Sequence, residues 1–212
     1  MHEPQAYLNG RFIPASHAVI PLTDAGFILG ATVSEQVRTF RGELFRLGEH
    51  LARLERSLEI VGICLELSRD ELAEISRELV ARNFRLLEPG DDLALSILVT
   101  PGPYGAEALI GPTCPTLCLH TFPLPFHLWA HKYEQGQSLV ITDVRQVPAE
   151  CWPPELKCRS RMHYYLADQR AARSDRGARA VLLDQSGLVT EASTANVLLY
   201  RDGQGLISVP VS

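Results

Sequence analysis

Residues 157–196 read KCRSRMHYYLADQRAARSDRGARAVLLDQSGLVTEASTAN. From 161 to about 176 the apolar positions Met162, Tyr165, Leu166 and Ala172 recur at mostly helical intervals, and Gly177 follows a basic last turn, which predicts a helix beginning just after Lys157. Residues 180–183 form a short apolar run and Asp184-Gln185-Ser186-Gly187 has turn chemistry. Residues 188–190 resume extended structure, so Glu191 is expected to end a hairpin strand. One lysine before the helix and one carboxylate 34 residues later, in T-E-A-S, are the chemically distinctive pair.

Composition narrows the function classes. The chain has 212 residues, 46% hydrophobic and 21% charged, enough for a sizeable core in one large or two small domains. A net charge of −5 with no long Lys/Arg block gives no electrostatic footprint for nucleic acid. The sequence has no run of eighteen apolar residues, and its start, MHEPQAYLNG, lacks a basic then apolar leader, so a soluble cytoplasmic protein without a membrane partner is expected. Five cysteines (Cys64, Cys114, Cys118, Cys151, Cys158) are odd in number and unpatterned, which argues against a disulfide framework. Cys114, Cys118 and His120 read as strand packing rather than a metal site, since no second ligand pair accompanies them.

Along the rest of the chain, residues 7–13 carry an Asn9-Gly10 hairpin signal between short apolar runs. The glycines of 23–30 fit no nucleotide-binding spacing and read as turns. Residues 33–40 have strand character, broken by Arg41-Gly42. Leu47, Leu51, Leu54, Leu58 and Val61 mark an amphipathic helix that places His50 and Arg53, three apart, on a shared face away from the leucines. Ser68-Arg69-Asp70-Glu71 is a capping box opening a second helix with Leu72, Ile75 and Leu79. Strands are predicted over 93–99 and 116–122, separated by a proline- and glycine-rich loop that includes Gly111 and Pro112. Residues 123–137 read as a connection between a small N-terminal domain, 1–122, and a second domain, 138–212.

The lysine, the helix ending in R-G-A, the L-L-D turn with glycine, V-T-E-A-S and the strand beginning N-V-L-L together resemble the class IV pyridoxal-phosphate enzymes. That family comprises branched-chain aminotransferases, D-amino-acid transaminases and aminodeoxychorismate lyases. The resemblance implies a mixed α+β, two-domain fold of type IV, a homodimer, and pyridoxal 5′-phosphate as cofactor. It implies transfer of an amino group between an amino acid and a 2-keto acid through a Lys157 Schiff base, with an aminodeoxychorismate lyase-like activity or a non-catalytic homologue as the alternatives. Glu191 would bond the pyridine nitrogen and keep it protonated. Ser193, Thr194 and Asn196 match the family's E-x-S-x-x-N and join the cofactor-binding set. His50-Leu51-Ala52-Arg53-Leu54 looks like the family's H-x-x-R-L, whose arginine holds the cofactor phosphate, a role suited to a planar two-donor fork.

Three departures bear on substrate. The branched-chain enzymes' tyrosine, five residues after the lysine, is Met162 here. The aromatic residue that precedes the small-domain glutamate in D-amino-acid transaminases is Ser34, and the arginine of their T-R-G is Pro101. Arg38 follows Glu35 in a V-R pair, and strand alternation makes it, with Ser34, a candidate substrate contact. After residues 206–212 a typical member would continue through T-P-P-L and a phosphate-binding turn, so the sequence reads as part of a longer polypeptide.

Overall fold

The computed structural model describes residues 3–106, 108 and 114–209; Gly111 and Pro112 of the loop lie outside them. The chain divides into two compact units, Met1–Pro125 with Glu155–Ser160, and Phe126–Pro154 with Arg161–Ser212.

In the first unit β1 (Gln5–Leu8) and β2 (Arg11–Pro14) pair antiparallel across Asn9 and Gly10, whose φ angles of 46° and 89° are those of the tight hairpin turn that asparagine–glycine favours. The segment read as turns forms a single-turn helix, α1 (Ala25–Ile28), capped by the Asp24 side chain accepting from the Gly26 amide at 2.7 Å. A Cβ on Gly26 would lie 2.4 Å from Thr100 Cγ2, so only glycine fits there. β3 (Val33–Phe40) returns through Arg41 and Gly42, both at positive φ, into β4 (Glu43–Leu44). Then come α2 (Leu47–Val61), α3 (Arg69–Phe84) with its Ser68–Glu71 capping box, β5 (Leu93–Thr100) and β6 (Thr116–Pro123). The strands form one antiparallel sheet in the order β2-β1-β6-β5-β3-β4.

Alternation decides which side chains meet the helices. Val33 and Val37 of β3, Leu95, Ile97 and Val99 of β5, and Leu117 and Leu119 of β6 share one core with Leu47, Leu51, Leu54 and Leu58 of α2 and Leu72, Leu79 and Val80 of α3. Burying a side chain of this size contributes about 1.5–3 kcal/mol. Glu35 has the same parity as Val33 and Val37, which puts a carboxylate in a row of core positions.

The second unit begins with two short helices, α4 (Phe126–Trp129) and α5 (Lys132–Gln135). β7 (Leu139–Arg145) and β8 (Arg179–Leu183) run parallel, a pairing that requires a crossover, supplied by α6 (Met162–Ser174). β9 (Val189–Ala192) and β10 (Ala195–Asn196) extend the sheet in the order β10-β9-β8-β7, and β11 (Leu198–Arg201) pairs separately with β12 (Gly205–Ser208).

The face of α6 differs from the one expected. Met162, Tyr165 and Leu166 are exposed, Met162 by 69%, while Ala167 and Ala171 are fully buried in a cluster with Ala178, Ala180 and Leu182, against which Tyr164 packs. Alanine at the contact lets the helix backbone approach the sheet closely, so small residues outrank larger apolar ones there. Among the described residues no helix is long and apolar enough to cross a membrane.

Candidate functional site

Lys157 belongs to the strip 155–160, which packs with the first unit although it follows β7 in the chain. The strip lies antiparallel to the residues that open β3: Ser34 N donates to Lys157 O at 3.0 Å, Arg159 N donates to Thr32 O at 2.8 Å, and Val33 and Cys158 form a bridge. Lys157 N in turn donates to the buried Ser57 Oγ of α2 at 3.1 Å. Leu156 packs on the core, and Ser160 Oγ donates to Gly30 O at 2.7 Å. Lys157 is thus placed by its main chain, bonded to the second residue of β3 and to α2, and the residue is half-buried.

The same two elements carry the anion-binding candidate. Arg53 lies one turn before Ser57 on α2, so the two share a face. Arg53 Nε and Nη2 donate to Glu35 Oε1 and Oε2 at 2.5 and 2.7 Å, and His50 Nδ1 lies 2.8 Å from Glu35 Oε2. Glu35 is 0% exposed, whereas the Arg53 side chain keeps 41% of its surface accessible. Burial acts to raise the Glu35 pKa, but hydrogen bonds from Arg53 and His50, with their charges, outweigh it and hold the carboxyl below the usual carboxylate range. Ser34, 1% exposed, contributes its backbone to the lysine strip. Arg38, farther along β3, has its guanidinium 3.8 Å above the Phe40 ring and 3.9 Å from Asp92.

In the second unit the turn chemistry of 184–187 delivers Glu191 to the middle of β9, opposite Asn196 of β10. Tyr164 Oη and Gln146 Nε2 both donate to Glu191 Oε1, the latter at 2.9 Å, and Gln146 Nε2 also donates to Tyr164 Oη at 2.8 Å. Both donors to the carboxylate use Oε1, so neither engages Oε2. The Arg161 guanidinium sits 4.0 Å above the Tyr164 ring and donates to Ser193 O. Ser193 Oγ is buried and makes no hydrogen bond among the described residues. Thr194 is exposed in the turn between β9 and β10.

Burial and the adjoining Glu191 carboxylate push the Tyr164 phenol up to about 12 from its ordinary 10, with Gln146 opposing. The unfolded chain would release this proton near pH 10 and the folded one near 12. The phenol's contribution to stability is therefore complete below pH 10 and lost as pH rises toward 12. A difference titration at 295 nm between the protein and its Tyr164→Phe variant is expected to show the missing phenol ionising near pH 12; ionisation near 10 would mean that it does not bond Glu191.

Residues 32–210 match the family model for amino-transferase class IV. The chain belongs to the class IV aminotransferase family. It is 30% identical over 194 residues to D-alanine aminotransferase of Bacillus licheniformis, covering 91% of this chain and 64% of that protein. Among solved structures it is similar to the T.th. branched-chain amino acid aminotransferase complexed with N-(5′-phosphopyridoxyl)-L-glutamate, with a TM-score of 0.79 and 25% identity over 96% of this chain and 66% of that one. The branched-chain aminotransferase of Escherichia coli superposes with a TM-score of 0.85 at 22% identity, over 98% and 68% of the two chains, a likeness of fold alone. The chain spans about two thirds of the length of the curated relatives it matches.

The mixed α+β fold expected from the sequence is the one these class IV structures share. The first unit brings Lys157, Ser34 and Arg53 onto adjoining elements, and the second groups Glu191, Ser193, Thr194 and Asn196 on one hairpin. Sequence reasoning passed over the partners of these residues. Glu35 was visible as a carboxylate at a core-facing position of β3. Tyr164 and Gln146, 27 and 45 residues from Glu191, left no local signal.

Proposed function

We propose that this chain carries the cofactor-binding machinery of a pyridoxal-phosphate-dependent aminotransferase that moves an amino group between an amino acid and a 2-keto acid. The observation that supports the reading is the placement of Lys157: main-chain hydrogen bonds tie it to Ser34 of β3 and to Ser57 of α2, one helical turn along α2 from Arg53, within a class IV aminotransferase chain.

The residues present fit such a cofactor. Glu191 offers an oxygen that its two donors do not use, Ser193 Oγ is a buried hydroxyl without a partner among the described residues, and Arg53 is accessible beside a buried counter-charge. When bound, pyridoxal phosphate would supply a carbonyl carbon for the amine and a ring that withdraws the electron pair left on the substrate α-carbon. Lys157 would attach the cofactor and, once displaced by the incoming amine, move the proton at that α-carbon. Glu191 would hold a proton at the ring nitrogen. Arg53 would bind the phosphate, with Ser193, Thr194 and Asn196 lining the cofactor. Ser34 and Arg38 remain the candidates for substrate contact.

The reading also carries a homodimer, a cytoplasmic setting, and a division into a small domain over 1–122, a connection over 123–137 and a cofactor domain over 138–212. The likeness to a solved aminotransferase holding a phosphopyridoxyl-amino acid adduct supports the cofactor.

The test adds pyridoxal phosphate to the purified chain, reduces with borohydride and maps the added mass, then supplies a panel of amino acids with a 2-keto acid acceptor. A pyridoxyl group on Lys157 and amino transfer to the acceptor are expected. Pyruvate release without any acceptor, or no mass added at Lys157, would overturn the reading.

A further inference from the structure

We propose that Glu35 is a positioning residue of the anion site: it grips Arg53 by one edge of the guanidinium and thereby aims the other edge at the phosphate of the cofactor. The inference rests on the function proposed above and adds a residue to it. Glu35 occupies a core-facing position of β3, between Val33 and Val37, and is fully buried. A carboxylate there must be neutralised by a partner that reaches in from the helix layer, because an unpaired buried charge is costly.

Arg53 and His50, three residues apart on α2, both reach it. The geometry of the pair matters more than its charge. Nε bonds Oε1 and Nη2 bonds Oε2, so Glu35 takes the side edge of the fork and does not use the Nη1–Nη2 end edge. Carboxylate and phosphate both match two parallel N–H donors, and a guanidinium has two such edges. With one edge fastened to a buried anchor, the exposed part of Arg53 is oriented before any anion arrives, which lowers the ordering cost of binding. His50, donating from Nδ1 to Oε2, holds the anchor itself in place. The result is a buried carboxylate that orients a surface-accessible cation one turn of helix from the serine that bonds the lysine strip.

The alternative is that the ion pair only satisfies a carboxylate stranded in the core. The two differ in what they do to ligands with and without phosphate. Glu35→Gln, Arg53→Lys and the double variant are titrated with pyridoxal phosphate and, separately, with pyridoxal. Glu35→Gln is expected to weaken pyridoxal phosphate binding about tenfold and to leave pyridoxal unchanged, and the double variant is expected to lose little beyond Arg53→Lys alone, as for directly bonded groups. Equal losses for the two ligands, or undiminished phosphate binding in Glu35→Gln while Arg53→Lys weakens it, would overturn the inference and leave the proposed function standing. Unchanged pyridoxal phosphate binding in Arg53→Lys would instead remove the phosphate role from the proposed function, and the inference with it. If Glu35→Gln does not fold, His50→Gln decides: it keeps the Glu35–Arg53 pair but frees one side of the anchor. A two- to threefold loss confined to pyridoxal phosphate is then expected, and no loss overturns the proposal.

Discussion

Substituting Lys157 by alanine is expected to abolish amino transfer, lowering kcat/KM by about 10⁴-fold or more, the upper end of what a positioned acid–base group contributes. The loss should come without unfolding. The strip that carries Lys157 is tied down through main-chain bonds to Ser34 and Ser57, the Leu156 contact with the core and the Ser160 hydroxyl, none of which needs the lysine side chain. The melting temperature should therefore move by only a few degrees while borohydride no longer attaches the cofactor at this position. Activity within tenfold of the parent, measured with the best amino donor, would remove Lys157 from its role.

Glu191→Gln is the second large effect. Glutamine is nearly the same shape, and its amide oxygen can still accept from Tyr164 and Gln146, so the local packing should persist. What disappears is the negative charge that would keep a proton on the ring nitrogen. Losing one aligned electrostatic partner of a reacting centre commonly costs about 10²–10³-fold in kcat, and that range is expected here with a much smaller change in KM. A companion readout needs no turnover. With the carboxylate gone, the Tyr164 phenol loses one of the influences that hold it up at about 12, and its ionisation should move back toward 10. A kcat that falls less than tenfold would argue against the ring-nitrogen role. An unmoved tyrosine would argue against the hydrogen bond itself.

The parts of the fold that were legible in the sequence are those fixed by neighbours in the chain. Asn9-Gly10 and Arg41-Gly42 adopt the positive φ values their turns require, the Ser68–Glu71 box caps α3, and the leucine spacing of α2 marks its buried stripe. The parts that were not legible depend on distant contacts. The buried face of α6 is its alanine face, because the backbone lies close to β7 and β8, and a count of large apolar residues points the other way. Residues 155–160 pack with the first unit through bonds to residues about 100 or more positions earlier, which local pattern does not encode. Within the site, Glu35 lies between legible and missed. Its parity on β3 was plain, and the inference from a carboxylate at a core position to a waiting cation was available before any coordinates.

The return of 155–160 to the first unit also constrains how the molecule can be dissected. A gene fragment ending at Pro125 would encode the sheet of the first unit but omit its last piece, leaving the Ser34 amide and the Ser57 hydroxyl without the partners they have in the whole chain. A fragment starting at Phe126 would carry Lys157 away from Arg53. Neither half would then hold Lys157 together with β3 and α2, the elements that fix its main chain, so on the function proposed above each piece alone is expected to lose borohydride-fixed attachment of pyridoxal phosphate at Lys157, and mixing the two is expected to recover it only if the strip re-pairs with Ser34 and Ser57.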